Sequence, residues 1–139
     1  MVNNNDFDWN KFISLGNEYI AENNSPAKHR TGISRFYYGA FCSSRDLINE
    51  KATYLGKKSK MIMTSHSADV HNETSRIFKH HKKYKKDNKG KIISKNLNKL
   101  RKMRNKADYD KTINQPLPDM IKKSKKISEV ILNQLNELN

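Results

Sequence analysis

The residue best placed for a chemical role is Arg104, an arginine on the apolar side of a predicted helix. Between Lys91 and Asp110 the chain has no proline, and at about 100° per residue its apolar side chains gather on an arc that includes Arg104. A guanidinium in a core costs several kcal/mol unless it is paired, so Arg104 needs a carboxylate, a wet cleft or a subunit interface. Asp108, four residues on, is a candidate partner. Two interpretations stay open, a structural ion pair and a functional cleft.

A second group of cationic and aromatic side chains falls on a helix predicted over residues 26–50. Its outer face, opposite the apolar stripe, carries Arg35, Tyr38, Cys42 and Arg45. Tyrosine interleaved with arginine is typical of a protein interface or a nucleic-acid contact, although an ordinary solvated surface also explains it. Arg30 lies near the core-facing side of the same helix. A second arginine in such a place favours a polar cleft shared with Arg104.

Positive charge is concentrated in the middle of the chain. Residues 1–50 hold five Lys or Arg against six Asp or Glu, residues 51–126 hold twenty-three against six, and residues 127–139 hold none against two. Such a block indicates contact with a phosphate backbone, with an affinity that falls steeply with salt. The predicted contact residues are Lys57, Lys58, Lys82, Lys83, Tyr84, Lys85 and Lys86. The alternative is a lysine-rich face that is merely solvated, or a codon bias.

Composition excludes several classes of site. The single Cys42 excludes an internal disulfide and a cysteine-rich zinc site, and the chain has no glycine-rich phosphate loop. Adjacent His80 and His81 point to opposite sides of a helix, so we expect no metal and no cofactor. No apolar run reaches transmembrane length and no signal-peptide core is visible. We expect one domain over residues 1–139, cytoplasmic and not bound to a membrane.

The secondary-structure pattern is helical throughout. Asp6 or Asp8 is expected to cap the first helix, and Ser25 to cap the second with Pro26 at its first position. Segments 51–63 and 82–91 are predicted to be loops, and the second of them to be mobile. The predicted helices cover about 8–23, 26–50, 65–82 and 91–110, with one more after Pro116 and Pro118. No segment alternates as a strand does. The prediction is an all-α antiparallel bundle of four or five helices.

Two segments carry a resemblance to a known family. The stretches HRTGISRFYYGAF (29–41) and LRKMRNKADYD (100–110), with a histidine-bearing helix between them, resemble the HEPN domain family, particularly its small stand-alone prokaryotic members. The resemblance covers nearly the whole chain. It implies a HEPN-like helical bundle, a homodimer and a role tied to RNA or nucleotides. Many members are metal-independent endoribonucleases, and many are encoded beside a minimal nucleotidyltransferase as toxin and antitoxin or serve in phage defence.

The resemblance also implies a set of site residues. Active members of the family have an arginine, then a polar residue, then a histidine four to six positions after the arginine; Arg104 and Asn105 match the first two. Tyr109 stands where the histidine is expected, and a phenol with a pKa of about 10 is a poor general base near neutral pH. His71, in the predicted third helix, is the best substitute. The catalytic candidates are Arg104, Asn105, Asp108, Tyr109 and His71.

Three functions remain open. The first is an RNA-associated HEPN protein of a toxin-antitoxin or phage-defence system, which binds RNA, a nucleotide or a partner protein in a basic cleft formed by a dimer. The second is a metal-independent endoribonuclease toxin, in which Arg104 stabilises negative charge at a scissile phosphate while an RNA 2′-hydroxyl attacks. The third is a purely structural interaction module. Because Tyr109 replaces the histidine, we expect no robust ribonuclease activity.

Overall fold

The computed structural model describes residues 6–50 and 52–138. Residues 1–5, 51 and 139 of the predicted domain lie outside this described part. The helices are α1 (Asn10–Glu18), α2 (Pro26–Glu50), α3 (Lys57–Met63), α4 (Asp69–His80), α5 (Lys89–Tyr109) and α6 (Leu117–Leu138). Short 3-10 turns occupy Ala52–Tyr54, Lys82–Tyr84 and Lys86–Asn88. The described residues contain no strand, which confirms the all-α bundle. None of their helices combines the length and apolar character that crossing a membrane requires.

The central helix is α2, which packs against α1, α4, α5 and α6. Its first turn forms as the sequence predicts, because the Ser25 hydroxyl accepts a hydrogen bond from the Lys28 backbone N–H at 3.3 Å and Pro26 is the first helical residue. Its predicted apolar stripe is buried, including Phe36 and Tyr37. The neighbouring helices pack around α2 and bring polar side chains into contact with it.

Three element predictions need correction. The segment predicted as a loop over 51–63 contains α3, whose last residue Met63 is fully buried while its lysines face solvent, and which raises the described helices to six. Helix α1 stops at Glu18 and does not reach residue 23, and Tyr19 and Ile20, which follow it, pack against the core from outside the helix. Helix α4 is also shorter than predicted. Asp8 caps α1 as expected, since its carboxylate accepts from the Asn10 N–H at 3.0 Å.

The basic segment after α4 is ordered, contrary to the predicted mobile loop. Tyr84 is 2% exposed, its ring lies 4.7 Å from that of Phe78, and its hydroxyl shares a hydrogen bond with the hydroxyl of Tyr54. Tyr84, one of the residues predicted to contact nucleic acid, is therefore a core residue whose ring and hydroxyl are engaged within the protein. A Cβ at Gly90 would lie 2.1 Å from the Phe78 carbonyl oxygen, so this turn requires glycine where α5 meets the end of α4.

Candidate functional site

The side chain at the centre of the site is His71, on the inner side of α4. Its imidazole stacks on Phe41 of α2 with ring centroids 4.2 Å apart, and its Nδ1 lies 2.5 Å from the hydroxyl oxygen of Tyr37. Burial raises the pKa of Tyr37, so this phenol keeps its proton. Within the described part of the chain, Nδ1 is the one partner of that buried hydroxyl. Tyr37 therefore donates to Nδ1, and a neutral His71 carries its own proton on Nε2.

Burial and three arginines keep His71 neutral. Together they lower the pKa of His71 to about 4, with partial burial as the largest cause and the positive charges of Arg101, Arg104 and Arg45 following in that order. Two of these arginines come from α5 and one from α2, so the helix packing brings together cations that are far apart in the sequence. At neutral pH the site therefore presents an N–H donor from the imidazole among positive guanidinium groups.

Arg104 is buried, as its position on the apolar arc predicts. It is 6% exposed, and its Cζ lies 5.2 Å and 5.4 Å from the ring centroids of Tyr37 and Tyr38. The predicted ion pair with Asp108 is present but long, at 3.8 Å between Nη1 and Oδ2. The Nε–H of Arg104 is buried without a hydrogen-bond partner among the described residues. A structural ion pair thus accounts for only part of the guanidinium.

Arg101 is a site residue that the sequence analysis did not identify. Its Nη1 donates to the side-chain oxygen of Asn72 at 2.7 Å, directly beside His71 in α4, and its Nε is a second buried N–H without a partner in the described residues. The sequence signal that could have identified Arg101 is its position three residues before Arg104, at the edge of the apolar arc of the same helix. Tyr37 was also missed as a polar residue, because its spacing placed it in the apolar stripe of α2.

A cleft of about 570 Å³ opens in front of His71, between α2 and the start of α4. We call it the histidine cleft; its wall includes Tyr38, Phe41, Arg45, His66 and His71. It also includes Asp46, whose Oδ1 lies 3.5 Å from Nη2 of Arg45. Arg101 and Arg104 do not line this space but lie behind it, around the histidine and tyrosine rings. The wall therefore combines aromatic and imidazole rings, hydrogen-bond donors and one carboxylate that is paired with Arg45.

Two arginines predicted for the cleft or an interface form contacts within the chain. Arg30 donates to the backbone oxygens of Ala107, Asp110 and Lys111 at 3.2, 2.6 and 3.3 Å, and so it caps the C-terminus of α5. The Cζ of Arg35 lies 4.6 Å from the ring centroid of Phe12. Neither lines the histidine cleft. The interface role of Arg35, like that of Tyr38 and Arg45, stays a prediction.

The remaining predicted site residues are dispersed over the surface. Tyr109 is 76% exposed and Asn105 is also exposed, and neither lines the histidine cleft. Cys42, placed on the outer face of α2 by its spacing, is instead buried beside the cleft, and burial raises the pKa of its thiol. The predicted phosphate-contact lysines are all exposed to solvent, namely Lys57, Lys58, Lys82, Lys83, Lys85 and Lys86. They form no single patch with His71.

The arrangement offers hydrogen-bond donors and positive charge beside flat aromatic rings. Guanidinium groups bind phosphate oxygens through charge-assisted hydrogen bonds, and aromatic and imidazole rings accept stacked bases. Among the described residues, no group of three or more His, Cys, Asp or Glu side chains is arranged to hold a metal ion. Comparisons of the chain with protein family models, with curated proteins and with solved structures found no match.

Proposed function

We propose that this chain is an RNA-associated protein of the HEPN type that binds RNA phosphates at the histidine cleft. The observation that carries the proposal is the convergence of Arg45, Arg101 and Arg104 on a neutral His71 that has its donor Nε2–H available. Arg45 lines the cleft, whereas Arg101 and Arg104 lie behind its wall, each with a buried Nε–H that has no partner among the described residues. A phosphate bound in the cleft would face the positive charge of all three and could accept hydrogen bonds from Arg45 and from the His71 Nε2–H.

RNA suits this cleft better than an isolated anion does. Tyr38 and His71 are partly exposed rings that line the cleft, and single-stranded bases stack on such rings. Phe41 is 4% exposed and supports His71 from behind by stacking on it. The formal net charge of +14 attracts any polyanion towards the site.

The biological setting is part of the same proposal. The family resemblance supports a toxin-antitoxin or phage-defence system, with a minimal nucleotidyltransferase as cognate partner and a homodimer as the assembly. A homodimer would bring two histidine clefts onto one RNA.

A second candidate function is cleavage of the bound RNA. It is favoured by the shared position of Arg104 and His71, both of which contact Tyr37 and Tyr38. In such a reaction the 2′-hydroxyl attacks phosphorus, a cyclic phosphate forms, and the bond to the 5′-oxygen breaks. A base role for His71 needs a lone pair at Nε2, whereas the hydrogen bond from Tyr37 holds that lone pair at Nδ1. Binding is therefore the function that the geometry favours.

RNA binding is expected to depend steeply on salt. With about four phosphate contacts, the affinity for a single-stranded RNA should fall about 50-fold between 50 and 200 mM salt. Fluorescence anisotropy with a labelled oligonucleotide measures this directly. Absence of binding at the lower salt concentration, or binding that ignores salt, would contradict the proposal. Cleavage of the same oligonucleotide without added metal, lost in His71→Gln while binding persists, would establish the second function.

A further inference from the structure

A row of lysines lines two adjoining hollows along the outer side of α5. The hollows have volumes of about 450 and 430 Å³ and share Lys79, at the end of α4, and Lys91. We call the two together the lysine groove; its cationic residues are Lys79, Lys85, Lys91, Lys95, Lys99 and Lys102. Lys79, Lys85 and Lys91 belong to the basic segment 79–91, which the sequence predicts to bind nucleic acid, whereas Lys95, Lys99 and Lys102 lie beyond it.

The lysine groove is unusually free of negative charge. Among the described residues no carboxylate lines either hollow, and none of the six lysines forms an ion pair. Lys89, by contrast, pairs with Glu137 at 3.4 Å. Helix α5 carries eight Lys or Arg residues and a single carboxylate, that of Asp108. Cations held side by side without counterions repel one another, and a polyanion relieves that repulsion.

The spacing of these lysines follows the axis of α5. Lys91, Lys95, Lys99 and Lys102 fall within an arc of about 80° and span about 16 Å along the helix. The buried face of α5, with Ile93, Leu97 and Leu100, is on the other side. The groove ends at Lys102, next to Arg101, whose guanidinium lies beside His71. The lysine groove and the arginine beside His71 thus belong to the same helix.

We propose that the lysine groove is a second binding surface, which holds the phosphate backbone of the RNA strand that enters the histidine cleft. This inference rests on the proposed function. A regular row of cations matches the repeat of a phosphate backbone, and the exposed Asn98 between the lysines adds a polar group of the kind that contacts phosphates and sugars. A membrane surface is less suited, because interfacial helices also insert apolar side chains, and the one large aromatic ring of the groove, Tyr84, is buried.

The test compares two triple variants that remove equal charge. The first replaces Lys91, Lys95 and Lys99 by glutamine; the control replaces three exposed lysines of α6 by glutamine, namely Lys122, Lys123 and Lys126. Loss of three phosphate contacts on a single strand should lower the slope of log affinity against log salt by about 2. We expect that change, with affinity at least about tenfold weaker at 100 mM salt, in the groove variant only.

The outcomes separate this inference from the proposed function. If wild-type protein binds no RNA, the proposed function fails and the lysine groove loses its ligand. If wild-type binding is lost in Arg104→Gln but the two triple variants show equal salt slopes, the histidine cleft stands and the groove inference is overturned. If the groove variant loses binding only to vesicles of phosphatidylserine and phosphatidylcholine, the surface binds membranes and the inference is likewise overturned. Circular dichroism should show equal helix content in both variants.

Discussion

Replacing Arg104 by alanine is expected to weaken RNA binding by about 30- to 100-fold, the largest loss that we expect from a single substitution. Its guanidinium is held against Tyr37 and Tyr38, and its Nε–H has no protein acceptor in the described residues. Arg104 lies behind the cleft wall and acts through its charge: at an effective dielectric constant of about 20, a phosphate about 6–8 Å away gains about 2–3 kcal/mol, which corresponds to the predicted loss of affinity. Anisotropy titration at constant salt measures it.

Three companion measurements show whether Arg104 acts on the ligand or on the fold. Asp108→Asn removes the partner carboxylate, and because a negative charge leaves the site, RNA affinity should stay the same or rise. Tyr109→Phe should change neither affinity nor stability, since that ring is 76% exposed. Arg104→Ala leaves the Asp108 carboxylate without its partner. Because Asp108 is 29% exposed, the free energy of unfolding should fall by less than the roughly 3–5 kcal/mol expected when a fully buried pair is broken. Parallel destabilisation by Arg104→Ala and Asp108→Asn, with unchanged RNA affinity, would make Arg104 a structural residue.

The second large effect is a loss of stability in mild acid that depends on His71. Its pKa in the folded chain is lowered from 6.5 to about 4, so between these values the unfolded chain binds more protons than the folded chain. The free energy of unfolding therefore falls as pH drops through this window. A shift of this size represents about 3 kcal/mol, and because the imidazole is only partly buried we expect about 2 kcal/mol or less.

A matched pair of variants assigns that loss to one histidine. Denaturant unfolding of His71→Asn should depend less on pH between about 6.5 and 4 than unfolding of the wild type, because no group at position 71 then takes up a proton. His80→Asn, at an exposed position on the same helix, should behave like the wild type. Equal pH dependence in all three proteins would show that His71 is not held neutral.

The helical framework was predictable because it depends on local signals. The cap at Ser25, the proline that follows it and the apolar spacing of α2 lie within a few turns of one another, and each has a local physical cause. The burial of Arg104 followed from the same periodicity. Helix α3 was not predicted because its lysines dominate the sequence pattern of this short segment. Its apolar side is evident only from the structure, in which Met63 packs against the core.

The site itself depended on contacts between helices, which spacing along one helix does not reveal. The spacing of Tyr37 indicated an apolar core residue, and only the packing of α4 shows that His71 contacts its hydroxyl. The role of Arg101 likewise depends on its hydrogen bond to Asn72 on another helix. For Tyr84 the error was the opposite one: its lysine neighbours indicated a solvated loop, whereas Phe78 and Tyr54 pack against its ring.

The most direct test of the histidine cleft is an NMR titration of the His71 imidazole with and without a short single-stranded RNA. Burial, and after it the charges of Arg101, Arg104 and Arg45, hold its pKa near 4 in the free protein, and a phosphate bound in the cleft would offset that positive charge. The account predicts that RNA raises the pKa of His71. An unchanged His71 pKa in protein saturated with RNA would show that the RNA binds elsewhere, and would contradict the account.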